Sequence, residues 1–72
     1  MKEIFEKFEK IGYQAYSPNE YCIQLINGKT YIVIDLQFKS CQKFICDGDK
    51  IFEEPFKYQE LSLVKELMEC CI

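Results

Sequence analysis

The sequence predicts a small α+β domain in the order helix, three antiparallel strands, helix (αβββα), with both helices packed on one face of the sheet. Two alternating segments joined by Asn27-Gly28 indicate a β-hairpin. Apolar residues at helical spacing before and after the strand region, in 2–11 and 58–72, indicate the two helices. A length of 72 residues predicts a single domain spanning 1–72.

The first helix is predicted from the spacing of its apolar residues. These follow the i, i+4, i+7 pattern of one helix face: Ile4, Phe8 and Ile11. Gly12 comes next, where glycine commonly terminates a helix. Residues 13–20 contain Ser17-Pro18-Asn19 and are predicted to form a loop leading into the first strand.

Asn27-Gly28 predicts a two-residue type I′ turn, because Asn-Gly tolerates the positive φ that this turn needs at both central residues. Ile26 would then face Lys29. The pairs further from the turn follow in steps of two residues: Leu25 with Thr30, Ile23 with Ile32, and Tyr21 with Ile34. The three pairs Leu25–Thr30, Ile23–Ile32 and Tyr21–Ile34 are expected on the buried face of the sheet.

The same register exposes Cys22, Ile26, Tyr31 and Val33 on the opposite face, with Cys22 across from Val33. The solvated face of an antiparallel sheet is usually polar, so these four residues are our predicted partner-binding surface. The alternative interpretation is that they are ordinary surface residues, because isolated apolar side chains are common on protein surfaces and β-branched ones favour strands.

Residues 41–46 predict a third strand after a turn at Lys39-Ser40, and the sequence allows two facings. One facing places Cys41, Lys43 and Ile45 on the core side. The other places Gln42, Phe44 and Cys46 there, and we favour it because the first would bury the Lys43 ammonium. Residues 47–50 predict a further turn, after which Ile51-Phe52 is either a short fourth strand or a segment tucked into the core.

Residues 58–72 predict a second helix with a wide apolar stripe. Its members are Leu61, Val64, Met68 and Cys71, widened by Leu63, Leu67 and Cys70. We favour a helix covered on two sides, by the sheet and by the first helix. The alternative is that one flank of the helix meets another protein.

Composition and charge narrow the range of functions. The net charge is −3 and every cation is a lysine, which argues against a nucleic-acid partner, because arginine is the residue suited to phosphate and guanine recognition. Abundant Ile, Lys, Phe and Tyr are typical of an AT-rich genome, such as that of a low-GC bacterium or its phage. A membrane span and a signal peptide are not expected, so a cytoplasmic protein with its five cysteines as free thiols is predicted.

The residues also argue against catalysis. The chain has no histidine, and its three glycines are too far apart for a phosphate-binding loop, so we expect no enzyme and no cofactor. A zinc site would have to combine Cys41, Cys46, Cys70 and Cys71. CxxC spacing is missing and adjacent helical residues point in different directions, so no metal is expected.

The order helix, three strands, helix resembles that of the double-stranded-RNA-binding domain. That resemblance is one of topology, and it implies a nucleic-acid-binding module as the alternative function. Domains of that family carry a lysine cluster at the start of the second helix, where this chain has Glu53-Glu54-Pro55, and a longer loop where it has Asn27-Gly28. Acidic residues at that helix start would repel phosphate, so RNA binding is not carried over.

The sequence therefore predicts a non-enzymatic protein-interaction module that self-associates or binds and modulates a host protein. Gathering of Lys29, Lys39, Lys43 and Lys57 on one surface would instead favour the nucleic-acid alternative.

Overall fold

A computed structural model describes residues 2–70 and confirms the α+β class. The elements in chain order are α1 (Lys2–Lys10), β1 (Gln14–Asn19), β2 (Cys22–Asn27), β3 (Thr30–Asp35), β4 (Ser40–Asp47), β5 (Lys50–Glu53) and α2 (Tyr58–Cys70). The strands form one antiparallel sheet in the order β1-β2-β3-β4-β5. Both helices contribute to the core on one side of the sheet, here called the inner face, and the opposite side is the outer face.

The predicted count of three strands, or four with Ile51-Phe52, is wrong because the sheet has five. The predicted loop at 13–20 contains β1. Pro18 lies where the register of β1 against β2 shifts, between Tyr16 and Asn19. Proline is tolerated in an edge strand or at a bulge, so these turn-type residues form an irregular edge strand instead of a loop. Ile51-Phe52 belongs to β5, as the strand interpretation predicted, and both side chains are exposed.

The turn between β2 and β3 lies one residue further along the chain than predicted. Asn27 pairs with Thr30, which leaves Gly28 and Lys29 as the turn residues. Gly28 has a φ of +59°, and neither of its neighbours has a positive φ. This pattern fits a type II′ turn, with glycine first, rather than the predicted type I′. Each predicted pair is displaced by two positions, so the strand residues keep their predicted faces.

Tyr21 is an exception to that agreement. It precedes β2 and is half exposed, whereas the prediction placed it in the core opposite Ile34. Ile34 pairs with Ile23 instead. The backbone of Tyr21 still extends the ladder, because its carbonyl accepts a hydrogen bond of 2.8 Å from the amide of Leu36.

The favoured facing of the third predicted strand, now β4, is wrong. Lys43 pairs with Ile32 on the inner face, and only 3% of the Lys43 side chain is exposed. The β3–β4 connection occupies residues 36–39, because Asp35 pairs with Ser40. The expected cost of burying the ammonium is offset by the carboxylate of Glu60, described below. Gln42, Phe44 and Cys46 consequently lie on the outer face.

The core lies between the inner face and the two helices. Its fully or nearly buried apolar members are Ile4, Phe8, Tyr13, Ile23, Leu25, Ile32, Ile34, Val64 and Leu67. Leu63 and Met68 widen the buried side of α2, as its broad apolar stripe predicted. The predicted stripe residue Cys71 and the side chain of Cys70 lie outside the described part of the chain.

Candidate functional site

The outer face of the sheet has no helix against it within residues 2–70. Its strand residues follow from the register and from alternation with the buried positions. They are Gln14, Tyr16 and Asn19 on β1; Cys22, Gln24 and Ile26 on β2; Tyr31, Val33 and Asp35 on β3; Ser40, Gln42, Phe44 and Cys46 on β4; and Ile51 and Glu53 on β5. Among these positions only Asp35 and Glu53 are charged. No lysine of the described strands points to this face.

The apolar residues of the outer face lie on adjacent strands. Tyr31 pairs with Ile26 on one side and with Phe44 on the other. Cys46 pairs with Ile51, which is 69% exposed. A shallow groove of about 410 Å³ runs between these side chains, and it is lined by Gln24, Tyr31, Val33, Phe44, Cys46 and Ile51. We call these six residues the outer groove.

The four residues predicted as a partner-binding surface all lie on the outer face. Tyr31 and Val33 line the outer groove, whereas Cys22 and Ile26 lie beside it. Cys22 lies opposite Asp35, whereas the predicted register placed it opposite Val33.

Sequence reasoning missed Phe44, Cys46 and Ile51. The facing predicted for β4 keeps the Lys43 ammonium out of the core, and it therefore places Phe44 and Cys46 in the core. One sequence signal could have identified them once Lys43 was assigned to the inner face. It is the alternation Phe-x-Cys in β4, followed by Ile51 across a short turn.

A second cluster, on the inner side, is polar and buried. Glu60 accepts hydrogen bonds from the Lys43 ammonium at 2.7 Å, from the Lys57 amide at 2.8 Å and from the Tyr13 hydroxyl. The Lys43 Nζ also lies 3.5 Å from the Glu54 carboxylate. A cavity of about 340 Å³ opens beside these groups at the end of the inner face. We call Tyr13, Lys43 and Glu60 the buried triad.

Helix ends hold two members of the buried triad. At the end of α1 the amide of Gly12 donates to the Glu9 carbonyl, and the amide of Tyr13 donates to the Phe8 carbonyl. This pair of bonds is a Schellman motif, and the ring of Tyr13 packs edge-on against that of Phe8 with centroids 6.2 Å apart. Glu60, in the first turn of α2, reaches back to the Lys57 amide as in a capping box.

Burial and charge shift the acidities within the triad. Burial, and then the hydrogen bond to Glu60, raise the pKa of Tyr13 well above its ordinary 10.0. Burial acts to raise the pKa of Glu60 as well, but the hydrogen bonds from Lys43, Tyr13 and the Lys57 amide outweigh it, so the pKa falls below 4.5. At neutral pH the Glu60 carboxylate is therefore ionised and the Tyr13 phenol is neutral. Every buried side-chain polar atom in the described residues has a partner. Removing any one of these partners would leave a buried charge or polar group unsatisfied.

The lysines named for the nucleic-acid alternative do not gather on one surface. Lys43 is buried, and Lys29 forms an ion pair of 3.0 Å with Asp47. Lys39 lies in the β3–β4 connection, at the opposite end of the strands from the turn that holds Lys29. The five strands between the helices also depart from the three of the double-stranded-RNA-binding domain.

Within residues 2–70, no three of the Cys, Asp and Glu side chains that the structure describes come together as a metal site. Cys22, Cys41 and Cys46 are free thiols. The hypothetical four-cysteine zinc site includes Cys70 and Cys71, whose side chains fall outside the described region. In that same region, no helix is long and apolar enough to cross a membrane.

The chain matches no known protein-family model, no curated protein and no solved structure.

Proposed function

We propose that this chain is a non-enzymatic protein-interaction module that uses the outer groove to contact another protein. The observation that carries the proposal is an uncovered sheet face with an apolar, uncharged centre, in which Tyr31 pairs with Phe44 and Cys46 pairs with Ile51. In the whole chain 29% of residues are charged, so a face with only two acidic residues at its margins is depleted in charge. Depletion of charge and enrichment in aromatic residues are typical of interface centres.

The chemistry of the outer groove favours a partner with an apolar, uncharged surface. Tyr31 and Phe44, paired on adjacent strands, supply rigid apolar area, and Gln24 beside them offers an amide that can bond to a partner backbone. A highly basic partner would find only Asp35 and Glu53 to pair with. A nucleic acid would find no cation on this face.

The size of the face sets the expected strength of binding. Five strands about 4.8 Å apart, with an average length of six residues at about 3.3 Å per residue, give a face of roughly 19 by 20 Å. Interfaces of that extent are at the small end of specific ones. We therefore expect a single copy to bind its partner weakly, with a Kd on the order of micromolar.

Two substitutions of the same kind test the proposal. Tyr31→Glu places a charge in the outer groove, whereas Tyr58→Glu makes the same change at a side chain that is 88% exposed at the start of α2. The wild-type chain is used to capture a partner, the partner is purified, and its Kd is measured for all three proteins by calorimetry. Tyr31→Glu is expected to weaken binding at least about tenfold, and Tyr58→Glu is expected to leave it unchanged.

A fold control accompanies the binding measurement. Phe44→Gln introduces a side chain that β4 already carries at Gln42 on the same face, so it should preserve the strand while removing apolar area. Equal affinity of Tyr31→Glu, Phe44→Gln and wild type, with unchanged circular dichroism melting, would overturn the proposal. Unfolding of both outer-groove variants would show that this face is core.

A further inference from the structure

The two edges of the sheet differ in how well they are protected against further pairing. The β1 edge contains Pro18 and an irregular register, both of which hinder the addition of another strand. The β5 edge pairs with β4 in a continuous register and contains no proline between Lys50 and Glu53. Its two apolar residues, Ile51 and Phe52, are 69% and 51% exposed.

The hydrogen bonds of β5 determine which of its backbone groups point away from the sheet. The amide of Glu54 donates to the carbonyl of Lys43 at 2.9 Å, so the backbone of residue 54 is directed toward β4. Backbone direction alternates along a strand, so Phe52 and Lys50 are also directed toward β4. Ile51 and Glu53 therefore direct their N–H and C=O groups to the open edge.

We propose that two copies of this chain pair through β5, antiparallel and about a two-fold axis perpendicular to the sheet. In the proposed register Phe52 faces Phe52 of the second copy. Ile51 faces Glu53 of the second copy, so that the outward-directed groups form about four backbone hydrogen bonds. Lys50 then faces Glu54 of the second copy, and the reverse pair occurs on the other side of the axis.

Charge selects this register over its neighbours. A two-fold axis keeps the inner faces of both copies on the same side, so residues facing each other must share a face, and the register can change only in steps of two. Of the two neighbouring registers, one would place Asp49 opposite Glu53 of the second copy and the other would place Glu53 opposite Glu53 of the second copy, and such like-charge pairs are unfavourable across strands. The proposed one places Lys50 opposite Glu54, whose side chain is 42% exposed and so accessible to a second cation.

Pairing through β5 would join the two outer faces into one continuous surface, with Ile51 of each copy near the junction. That surface would be about twice as wide as the face of one copy, which brings it into the range of standard interfaces. The two copies pair through the edge of β5 and not through the outer face, so this dimer can form whether or not the outer groove binds a partner.

Sedimentation equilibrium across the micromolar to millimolar range tests the pairing. Wild type is expected to show a reversible monomer–dimer equilibrium. Lys50→Glu should raise the dimer Kd about 5- to 30-fold by placing two acidic side chains opposite each other, while Lys39→Glu, the same charge change in the β3–β4 connection, should not. Ile51→Pro, which removes an outward-directed donor without removing a bond to β4, should abolish the dimer.

Cross-linking tests the register directly. Phe52→Cys should form an intermolecular disulfide between the two position-52 thiols, mapped by peptide mass spectrometry, because facing residues that are not hydrogen-bonded bring their Cβ atoms close. A position-51 disulfide from Ile51→Cys with none from Phe52→Cys would overturn the register. A wild-type chain that stays monomeric at millimolar concentration, or a dimer weakened only by Tyr31→Glu, would overturn the pairing through β5, and the second result would leave the outer groove as the contact surface.

Discussion

The Lys43 ammonium lies 2.7 Å from the Glu60 carboxylate, so a buried ion pair joins the inner face of β4 to the first turn of α2. Tyr13, placed by the end of α1, donates its hydroxyl to the same carboxylate. Three elements that are distant in sequence thus meet at one carboxyl group. The buried Glu60 carboxylate depends on its three hydrogen-bond donors, so losing any one of them should destabilise the fold.

Lys43→Met removes the ammonium and keeps most of the side-chain volume, so it tests the ion pair without opening a large cavity. The Glu60 carboxylate would remain buried without its cation. We expect the free energy of unfolding to fall by about 3 to 5 kcal/mol, measured by urea denaturation at pH 7. For a domain of this size such a loss would approach the whole stability, so the measurement is made with a stabilising osmolyte present.

The double variant Lys43→Met with Glu60→Gln provides the control. Glutamine is neutral, and its amide oxygen can still accept from the Lys57 amide, so the double variant should be more stable than Lys43→Met alone. If the losses in free energy of unfolding of Lys43→Met and Glu60→Gln add up to the loss of the double variant, Lys43 and Glu60 are not energetically coupled.

Acid should weaken the fold through Glu60. Its pKa is lower in the folded chain than the ordinary 4.5, so the unfolded chain takes up the proton first as the pH falls. The stabilisation from this group is full above pH 4.5 and is lost as the pH drops through the lower, folded value. Urea denaturation between pH 7 and pH 2 should show a smaller loss for Glu60→Gln than for wild type. Parallel pH curves for the two proteins would contradict the shift.

Raising the pH should weaken the fold through Tyr13, whereas lowering the pH weakens it through Glu60. The pKa of Tyr13 is raised by burial and by Glu60, so the folded chain retains the phenolic proton after the unfolded chain has lost it. The stabilisation is complete below pH 10.0 and declines above it. Tyr13→Phe should cost about 1 to 3 kcal/mol at pH 7, because Glu60 loses a donor, and the difference from wild type should narrow above pH 10. A constant difference would rule out the raised pKa.

Local patterning predicted which side chains of β2 and β3 are buried, because a period of two residues is insensitive to where the turn falls. Moving the turn from Asn27-Gly28 to Gly28-Lys29 displaced every pair by two positions and left Ile23 and Ile32 on the inner face. For the same reason Tyr31 and Val33 were correctly expected on the outer face. Strand count was harder, since Pro18 indicates a loop by any local rule and becomes part of an edge strand only beside β2.

The facing of β4 could not be predicted from its own residues. An unpaired ammonium is costly to bury, but the Lys43 ammonium has a partner in Glu60, which lies 17 residues away on another element. Only the tertiary arrangement reveals that pairing. Because side chains alternate along a strand, the wrong facing of Lys43 reversed the predicted facing of every residue in β4. Phe44 and Cys46 were therefore not predicted as members of the outer groove.

Gly12 is predicted to be the least replaceable of the turn glycines. Its φ is +99°, and a Cβ added there would lie 3.0 Å from the side-chain nitrogen Nδ2 of Asn27, whereas Gly48 has a φ of +62° and open space around it. Gly48→Ala should therefore cost about 1 to 2 kcal/mol from backbone strain alone, and Gly12→Ala should cost more. The additional loss would come from displacing Asn27 and from loosening the Schellman motif that holds Tyr13 against Glu60. Thermal denaturation of the two variants gives the comparison, and equal losses would mean that the contact with Asn27 relaxes without cost.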